Sequence, residues 1–438
     1  MTATAGRSTD PHRPALHFSA TRGWINDPHG VTFHGGRYHA FFQYLPGSLS
    51  WRPSVAWGHA TSPDLLAWTE QPVALHPGDG DDGCFTGAVV IPDAGPAALL
   101  YTSVSVDDLN LGRVRLAYPD DPDWTTWRKD AVLAEPPRDQ SLSVYRDPFV
   151  FREGGRWRML VGAGYADGTP GVMCYSSDDP SRWTFDGPLE VRTADGMERP
   201  WSGAAWECPQ LVAVGGRHVL VVSVFSGGDP DVAYPVMAAV GRLDGVVFTV
   251  DRWQRLTEGP AHFATSAFAF ADGAPGLISW IRGVGDDVAG WRGSLSLPYR
   301  ITLDGDVAIV LPDAAVATLR EDPGSAFHHA VDVEWSPHGT ADRLSVVRSD
   351  GVTVAALESS GGTVTLRPAT RAPVQVPLGI GRQVRVVVDG PVLEGTTGET
   401  LFGAALPPGS GGVRIEGSGC DLRWWALRPP TPLPALRL

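Results

Sequence analysis

Three carboxylic acids recur at one place in a repeating sequence: Asp27 in WINDPHG, Asp147 in YRDPFVF and Glu207 in WECPQLV. In two further repeats, CFTGAVV and HFATSAF, the equivalent position falls on Thr86 and about Thr265, giving intervals of 59, 61, 60 and 58 residues. Acids gathered at one point from distant parts of a chain repel one another and raise one another's pKa, which marks function more often than stability. Two carboxyls flanking an acetal oxygen form the glycosidase pair, one protonated as general acid and the other ionised as nucleophile or base. Turn capping is another use, since Asp27 and Asp147 both precede Pro, and cation binding is a third. A cation ranks below catalysis because Thr86 and Thr265 supply few further oxygen ligands. Arg146, and Trp24, Trp51, Trp57, Trp201, Trp206 and Trp280 at or near strand ends, suit a hydroxylated ring, although Trp also fills β-blades. Spacing alone does not name the sugar.

The acids are positioned by a pattern of a polar turn followed by a short apolar strand: GGRYHAFFQY from Gly35, GPAALLYTS from Gly95, GGRWRMLVGAG from Gly154, GGRHVLVVSVF from Gly215 and GAPGLISWIR from Gly273. A second landmark, a polar turn leading to an aromatic, keeps similar time at Trp68, Trp127, Trp183 and Phe248. Each unit holds several runs of β-branched or aromatic residues between Gly, Pro, Asp and Asn, and amphipathic helices are nearly absent. The expected fold is all-β: a five-bladed β-propeller over residues 15–310, in which the first strand of each blade lines the central channel. A disordered N-terminal tail is expected over 1–14, a linker over 311–323, and a C-terminal β-sandwich over 324–438, where strands such as RQVRVVVDG alternate.

The 438 residues exceed what one core comfortably serves, in line with two domains. Lys and Arg total 35 against 49 Asp and Glu, a net charge of −14 with no basic cluster, so neither nucleic acid nor a membrane is expected as partner. Lys129 is the only lysine, which sets aside P-loop and Schiff-base chemistry. Cys84, Cys174, Cys208 and Cys420 form no C-x-x-C pair and read as reduced or buried thiols. The histidines His29, His34, His39, His328 and His329 lack a consistent ligand spacing, so no metal and no cofactor are expected. The N-terminus lacks a basic segment followed by an apolar run, and no stretch of about 18 apolar residues occurs, which gives a cytoplasmic expectation for the chain as it stands.

The motifs resemble glycoside hydrolase family 32, whose members act on β-fructofuranosides. HFSATRGWINDPHG (17–30) is similar to the family's nucleophile signature, YRDPF (145–149) to its Arg-Asp-Pro motif, and WECPQL (206–211) to its acid/base motif. FFQYLPGSLSW, WGHATSPDLLAW, CFTGAVV and GWRGSLSLPYRITL follow in the family's order. The resemblance implies a retaining hydrolase that releases terminal fructosyl units from sucrose-like sugars or short fructooligosaccharides. Asp27 would be the nucleophile of a covalent fructosyl-enzyme and Glu207 the acid/base, about 5–5.5 Å apart. Asp147 and Arg146 would hold fructose hydroxyls, and Asn26, Gln43, Trp51, Phe85, Thr86 and Trp280 would line the fructosyl subsite. A fructosyltransferase shares all these residues, and a fructan-binding propeller without catalysis is the alternative from another class. Three departures stand out: His29 where Asn is common, Thr86 where Ser is common, and HFAT (262–265) where many members carry Asp-Phe-Tyr-Ala. The last puts the leaving-group side of the pocket in question.

Overall fold

The computed structural model describes residues 12–193, 200–227, 234–339, 341–409, 411–418 and 420–430. Of the tail expected over 1–14, residues 1–11 lie outside the described residues. Arg13 is held in place: its guanidinium donates to the carbonyls of Ser19, Ala20 and Thr21 and lies over the Trp291 ring.

Hairpins organise the chain. Gly35 and Gly36, Gly154 and Gly155, and Gly215 and Gly216 all have φ between 56° and 84°. Two consecutive left-handed residues are what a tight hairpin turn needs to match the twist of its strands, and only glycine adopts that pair without steric cost. These turns join His34 to Arg37, Glu153 to Arg156 and Val214 to Arg217 across antiparallel ladders.

Five four-stranded blades result. Blade 1 runs Gly23–His34, Arg37–Leu45, Ala56–Ser62 and Thr69–Leu75; blade 2 runs Gly83–Val90, Ala98–Ser105, Asp108–Pro119 and Trp127–Ala134. Blade 3 runs Leu142–Glu153, Arg156–Tyr165, Pro170–Asp179 and Arg182–Pro188; blade 4 runs Ala205–Val214, Arg217–Phe225, Val236–Asp244 and Val247–Arg255. Blade 5 takes His262–Ala269, Pro275–Asp286, Tyr299–Asp304 and Val307–Pro312. The strand Trp291–Leu295 pairs with Pro275–Asp286 and, in parallel, with Gly23–His34, which latches the last blade to the first. The five first strands pack successively against one another and the fifth against the first, so the ring closes around a channel. Apolar faces fill the spaces between blades, as where Leu160, Val172 and Cys174 of blade 3 are buried with Trp206, Leu220 and Phe248 of blade 4.

The C-terminal unit is a β-sandwich of a five-stranded sheet and a seven-stranded one, the latter completed by two short strands from earlier in the chain. Alternation of the kind seen in Val384–Asp389 puts Val384, Val386 and Val388 against Val333, Trp335, Leu344 and Leu366 in its core. Residues 311–323 contain the end of the last blade strand, a short helix Ala314–Ala317, and Arg320–Glu321, which pairs with Cys420–Leu427 at the sandwich edge. Thr257–Glu258, between blades 4 and 5, pairs with Leu401–Ala405 of the sandwich. A shared apolar core, including Val240, Val310, Val387, Leu401 and Leu427, joins the two units. No helix among the described residues is long and apolar enough to cross a membrane.

Candidate active site

The ladder of every channel-lining strand is interrupted at an equivalent level. Register shifts fall at Asn26/Pro28, Phe85/Gly87, Glu207/Gln210 and Phe263/Ser266, and in blade 3 between the partners of Phe149 and Arg146. Such bulges bend a strand and re-aim a side chain. Four residues at these bulges are non-glycine yet have positive φ: Asp27 at 29°, Asp147 at 65°, Cys208 at 46° and Ala264 at 46°. Strain of this kind collects at functional sites.

The bulges correct the expected equivalence of the acids. Asp27, Thr86 and Asp147 occupy the bulge, but in blades 4 and 5 the bulge residues are Cys208 and Ala264. Glu207 sits one step earlier, in register with Asn26, Phe85, Arg146 and Phe263. Counting a period of about 60 cannot see this, because one residue gained in a strand is absorbed by a neighbouring loop. The expected ring therefore has two tiers, with Asp27 and Asp147 on one and Glu207 on the other. Thr265 lies outside it, its hydroxyl bonded to that of Ser279 at 2.8 Å.

A hydrogen-bonded chain supports Asp27. The Asn26 amide donates to the Gln43 side-chain carbonyl at 3.0 Å, the Gln43 amide donates to the Thr86 hydroxyl at 2.8 Å, and that hydroxyl reaches Asp27 Oδ2 at 3.4 Å. Trp24 donates its indole N–H to Asn26. Asp147 is buried; its N–H donates to the Thr102 hydroxyl, and its Oδ2 accepts the Cys208 N–H at 3.0 Å. Glu207 faces Arg146, with 3.4 Å between Oε1 and Nε. The same guanidinium donates to Asn110 and lies over the Phe225 ring. Close approach makes this possible: a Cβ on Gly162 would lie 2.3 Å from the Trp206 carbonyl oxygen, so glycine lets blade 3 press against the strand carrying Glu207.

The electrostatics separate the acids. Burial pushes Asp27 up to about 6, and the Asp147 carboxylate adds to the effect. Glu207 is raised further, first by burial; Arg146 pulls against the shift, while Asp147 and Asp27 reinforce it. Asp147 is also raised by burial, against Arg146 and the Cys208 N–H. At neutral pH the arrangement offers an ionised Asp27 and a proton-bearing Glu207, which is the division of labour acid-base cleavage requires.

The remaining expected residues divide. Trp280 meets Trp24 edge to face at 5.5 Å, with Arg282 over its ring. Trp51, 43% exposed, meets the buried Phe85 edge to face. Trp57 and Trp206 are structural: their indole N–H groups donate to the carbonyls of Phe85 and Ser202. Trp206 packs into the blade core against Trp253. Cys208 is buried and its thiol is pushed far above the ordinary value, which makes it a poor nucleophile. His262 of HFAT is turned to Glu394 of the sandwich at 3.4 Å. Thr102, Asn110, Phe225 and Arg282 were not singled out in the sequence. Hairpin counting from Thr86 would reach Thr102, whereas nothing in the sequence points to Asn110.

A five-bladed propeller whose channel gathers three carboxyls and an arginine has the architecture of an acid-base site. Residues 17–312 match the N-terminal domain of glycosyl hydrolases family 32. The chain belongs to this family. It is 31% identical over 328 residues to a sucrose-6-phosphate hydrolase of Zymomonas mobilis, covering 70% of this chain and 63% of that protein. It is 30% identical over 356 residues to a fructan 6-exohydrolase of Beta vulgaris, covering 71% and 56%. The matches thus span less than two thirds of these relatives. Among solved structures, a β-fructofuranosidase of Bombyx mori superimposes with a TM-score of 0.80 at 25% identity, over 96% of this chain and 94% of that one. A variant of the same protein was solved in complex with sucrose. A sucrose-6-phosphate hydrolase from Lactobacillus gasseri shares the fold, with a TM-score of 0.81 at 23% identity over 96% and 94%.

Proposed function

We propose that this chain is a retaining β-fructofuranosidase that removes a terminal fructosyl unit from sucrose or a short fructooligosaccharide. One observation carries the reading: Asp27 and Glu207 share one channel end, one with a pKa of about 6 and the other higher still, with Arg146 on Glu207. Asp27 attacks the anomeric carbon as Glu207 gives its proton to the departing glycosidic oxygen. Glu207, now ionised, takes a proton from water, and the hydroxide so formed displaces Asp27 and frees fructose. Asp147 has one carboxylate oxygen held by the Cys208 N–H, leaving the other to bind sugar hydroxyls together with Arg146. Trp280, Trp24, Trp51 and Phe85 present aromatic surface to the ring.

The family membership and the names of the relatives in Zymomonas mobilis and Bombyx mori support the reaction class. The test is fructose release from sucrose, sucrose 6-phosphate and 1-kestose, followed by NMR so that the first anomer formed is seen before mutarotation. Retention gives the β-furanose first. The α-anomer first would replace the covalent mechanism with an inverting one, and silence across well-folded wild type would remove the hydrolase reading.

A further inference from the structure

Asp27 holds a backbone conformation that side chains other than glycine rarely adopt, and something must maintain it. At two of the other bulges the clamp is on the amide: the Asp147 N–H donates to the Thr102 hydroxyl and the Cys208 N–H to the Asp147 carboxylate. At Asp27 it is on the carbonyl. His29, two residues along the same strand and 1% exposed, places Nδ1 2.8 Å from the Asp27 carbonyl oxygen. A carbonyl oxygen only accepts, so the proton of this imidazole is on Nδ1. Burial pushes the ring's pKa down to about 3, against the pull of that carbonyl, so the ring is neutral at any working pH. Its Nε2 is buried with no hydrogen-bond partner among the described residues.

The ring is fixed in turn by Trp57, with centroids 4.0 Å apart and planes at 53°. Trp57 spends its indole N–H on the Phe85 carbonyl of blade 2 at 2.9 Å. The next residue, Thr86, reaches back to the Asp27 carboxylate. The contacts therefore close a loop: Asp27 carbonyl, His29, Trp57, Phe85, Thr86, Asp27 carboxylate. One side holds the nucleophile's main chain and the other its reacting group, across the seam between blades 1 and 2.

We propose that His29 is a positioning residue for Asp27, its Nδ1–H clamping the strained carbonyl so that the carboxylate stays aimed at the reacting carbon. The role rests on the reading of Asp27 as nucleophile. Misplacing a reacting group by about 1 Å costs about 10²-fold in rate, which sets the expected size of the effect.

The test compares wild type with His29→Asn, His29→Gln and His29→Leu. Asn places an amide N–H near the position of Nδ1, Gln places one near Nε2, and Leu supplies bulk without a donor. With sucrose as substrate, Leu and Gln should each lower kcat about 10²-fold at little-changed KM, and Asn should recover most of the loss. If Leu matches wild type in kcat, or if Asn falls as far as Leu, the clamp is refuted, the latter showing that the ring's packing on Trp57 is what matters. Two readouts are independent of activity. Long-range nitrogen NMR of wild type should show the Nδ1–H tautomer of His29, and a crystal structure of His29→Leu should show the Asp27 carboxylate displaced. Absence of either overturns the clamp. Wild type that releases no fructose but passes both would refute the nucleophile reading alone. Should His29→Leu fail to fold, His29→Gln, which keeps a polar side chain but moves its N–H off the Asp27 carbonyl, carries the same readouts: a lowered kcat at constant KM with Asp27 displaced is expected, and an unchanged kcat with Asp27 undisplaced would overturn the proposal.

Discussion

At the channel, Asp147 is buried and Asp27 and Glu207 are half-buried, and all three carry raised pKa values. At the seam between propeller and sandwich, Asp389 and Glu394 are buried more deeply still, yet both are held below their ordinary values, Glu394 at about 2. The seam acids have partners. His17 places Nδ1 2.9 Å from Asp389 and Nε2 3.3 Å from Glu394, and His262 stands 3.4 Å from the other Glu394 oxygen. Main-chain N–H groups of Ala15, Leu16 and His17 donate to Asp389, and that of Leu297 donates to Glu394. Burial alone therefore does not decide the state of an acid. Burial opposes the charge of His17 too, but Glu394 and Asp389 outweigh it and raise the imidazole to about 9. At the channel Arg146 stands against Glu207 and pulls on Asp147, Asp27 is met by the neutral Asn26 and Thr86 side chains, and the acids are left with the raised pKa values that acid-base chemistry uses.

The comparison can be broken hardest at the channel. Asp27→Asn and Glu207→Gln should each lower fructose release by about 10⁴-fold or more while the protein stays folded. Near-normal turnover in either variant, measured beside a thermal melt, would take that acid out of the reaction. Arg146→Gln should cost about 10²-fold in kcat/KM and move the alkaline limb of the pH profile upward, since Arg146 opposes the Glu207 shift. An alkaline limb that stays in place would show that the guanidinium does not act on Glu207.

The wild-type pH profile should rise through about 6 as Asp27 ionises and fall at higher pH as Glu207 loses its proton. A profile flat between pH 5 and 7 would remove Asp27 from the acid limb.

At the seam the prediction concerns stability. Glu394→Gln should lower it by about 3 kcal/mol, because His17 then stays buried with less counter-charge. The sign with pH follows from both partners. The His17 contribution is complete below its ordinary 6.5 and is lost as pH rises through about 9. The Glu394 contribution is complete above its ordinary 4.5 and is lost as pH falls through about 2. The gap in denaturant midpoint between wild type and variant should thus be widest between pH 4.5 and 6.5. A gap that does not change with pH would mean lost packing in place of lost charge.

The smallest effect has the opposite sign. Asp27→Asn should stabilise the protein by about 1 kcal/mol at neutral pH, where the wild-type carboxylate is ionised against a raised pKa. The gain should disappear below about pH 4, where both folded and unfolded Asp27 are protonated. A variant less stable than wild type at pH 7 would show that the Thr86 and Asn26 contacts outweigh the buried charge.

Much of this was legible before any coordinates. The Gly-Gly-Arg turns announce hairpins because two successive left-handed residues admit little else. The recurring acids announce the channel because a five-fold repeat stacks its first strands around an axis. What stayed hidden depends on contacts between distant segments. His17 opens the HFSATRGWINDPHG stretch, yet nothing in the sequence pairs it with Asp389, 372 residues away. His262 reads as part of the pocket because HFAT sits in a channel strand, yet its side chain alternates outward to the sandwich. The placement of Glu207 one step before its bulge is invisible to periodicity.

The all-β class, the five-fold repeat, and the identity of the acids and of Arg146 can be read from residue order alone, because turn chemistry, strand alternation and residue type are local properties. Which acids keep raised pKa values, which are paired below their ordinary ones, and what holds Asp27 depend on the folded chain. The reason is that a carboxyl's pKa and a strained backbone's persistence depend on neighbours brought in from other blades and from the sandwich, and those distances exist only once the ring has closed.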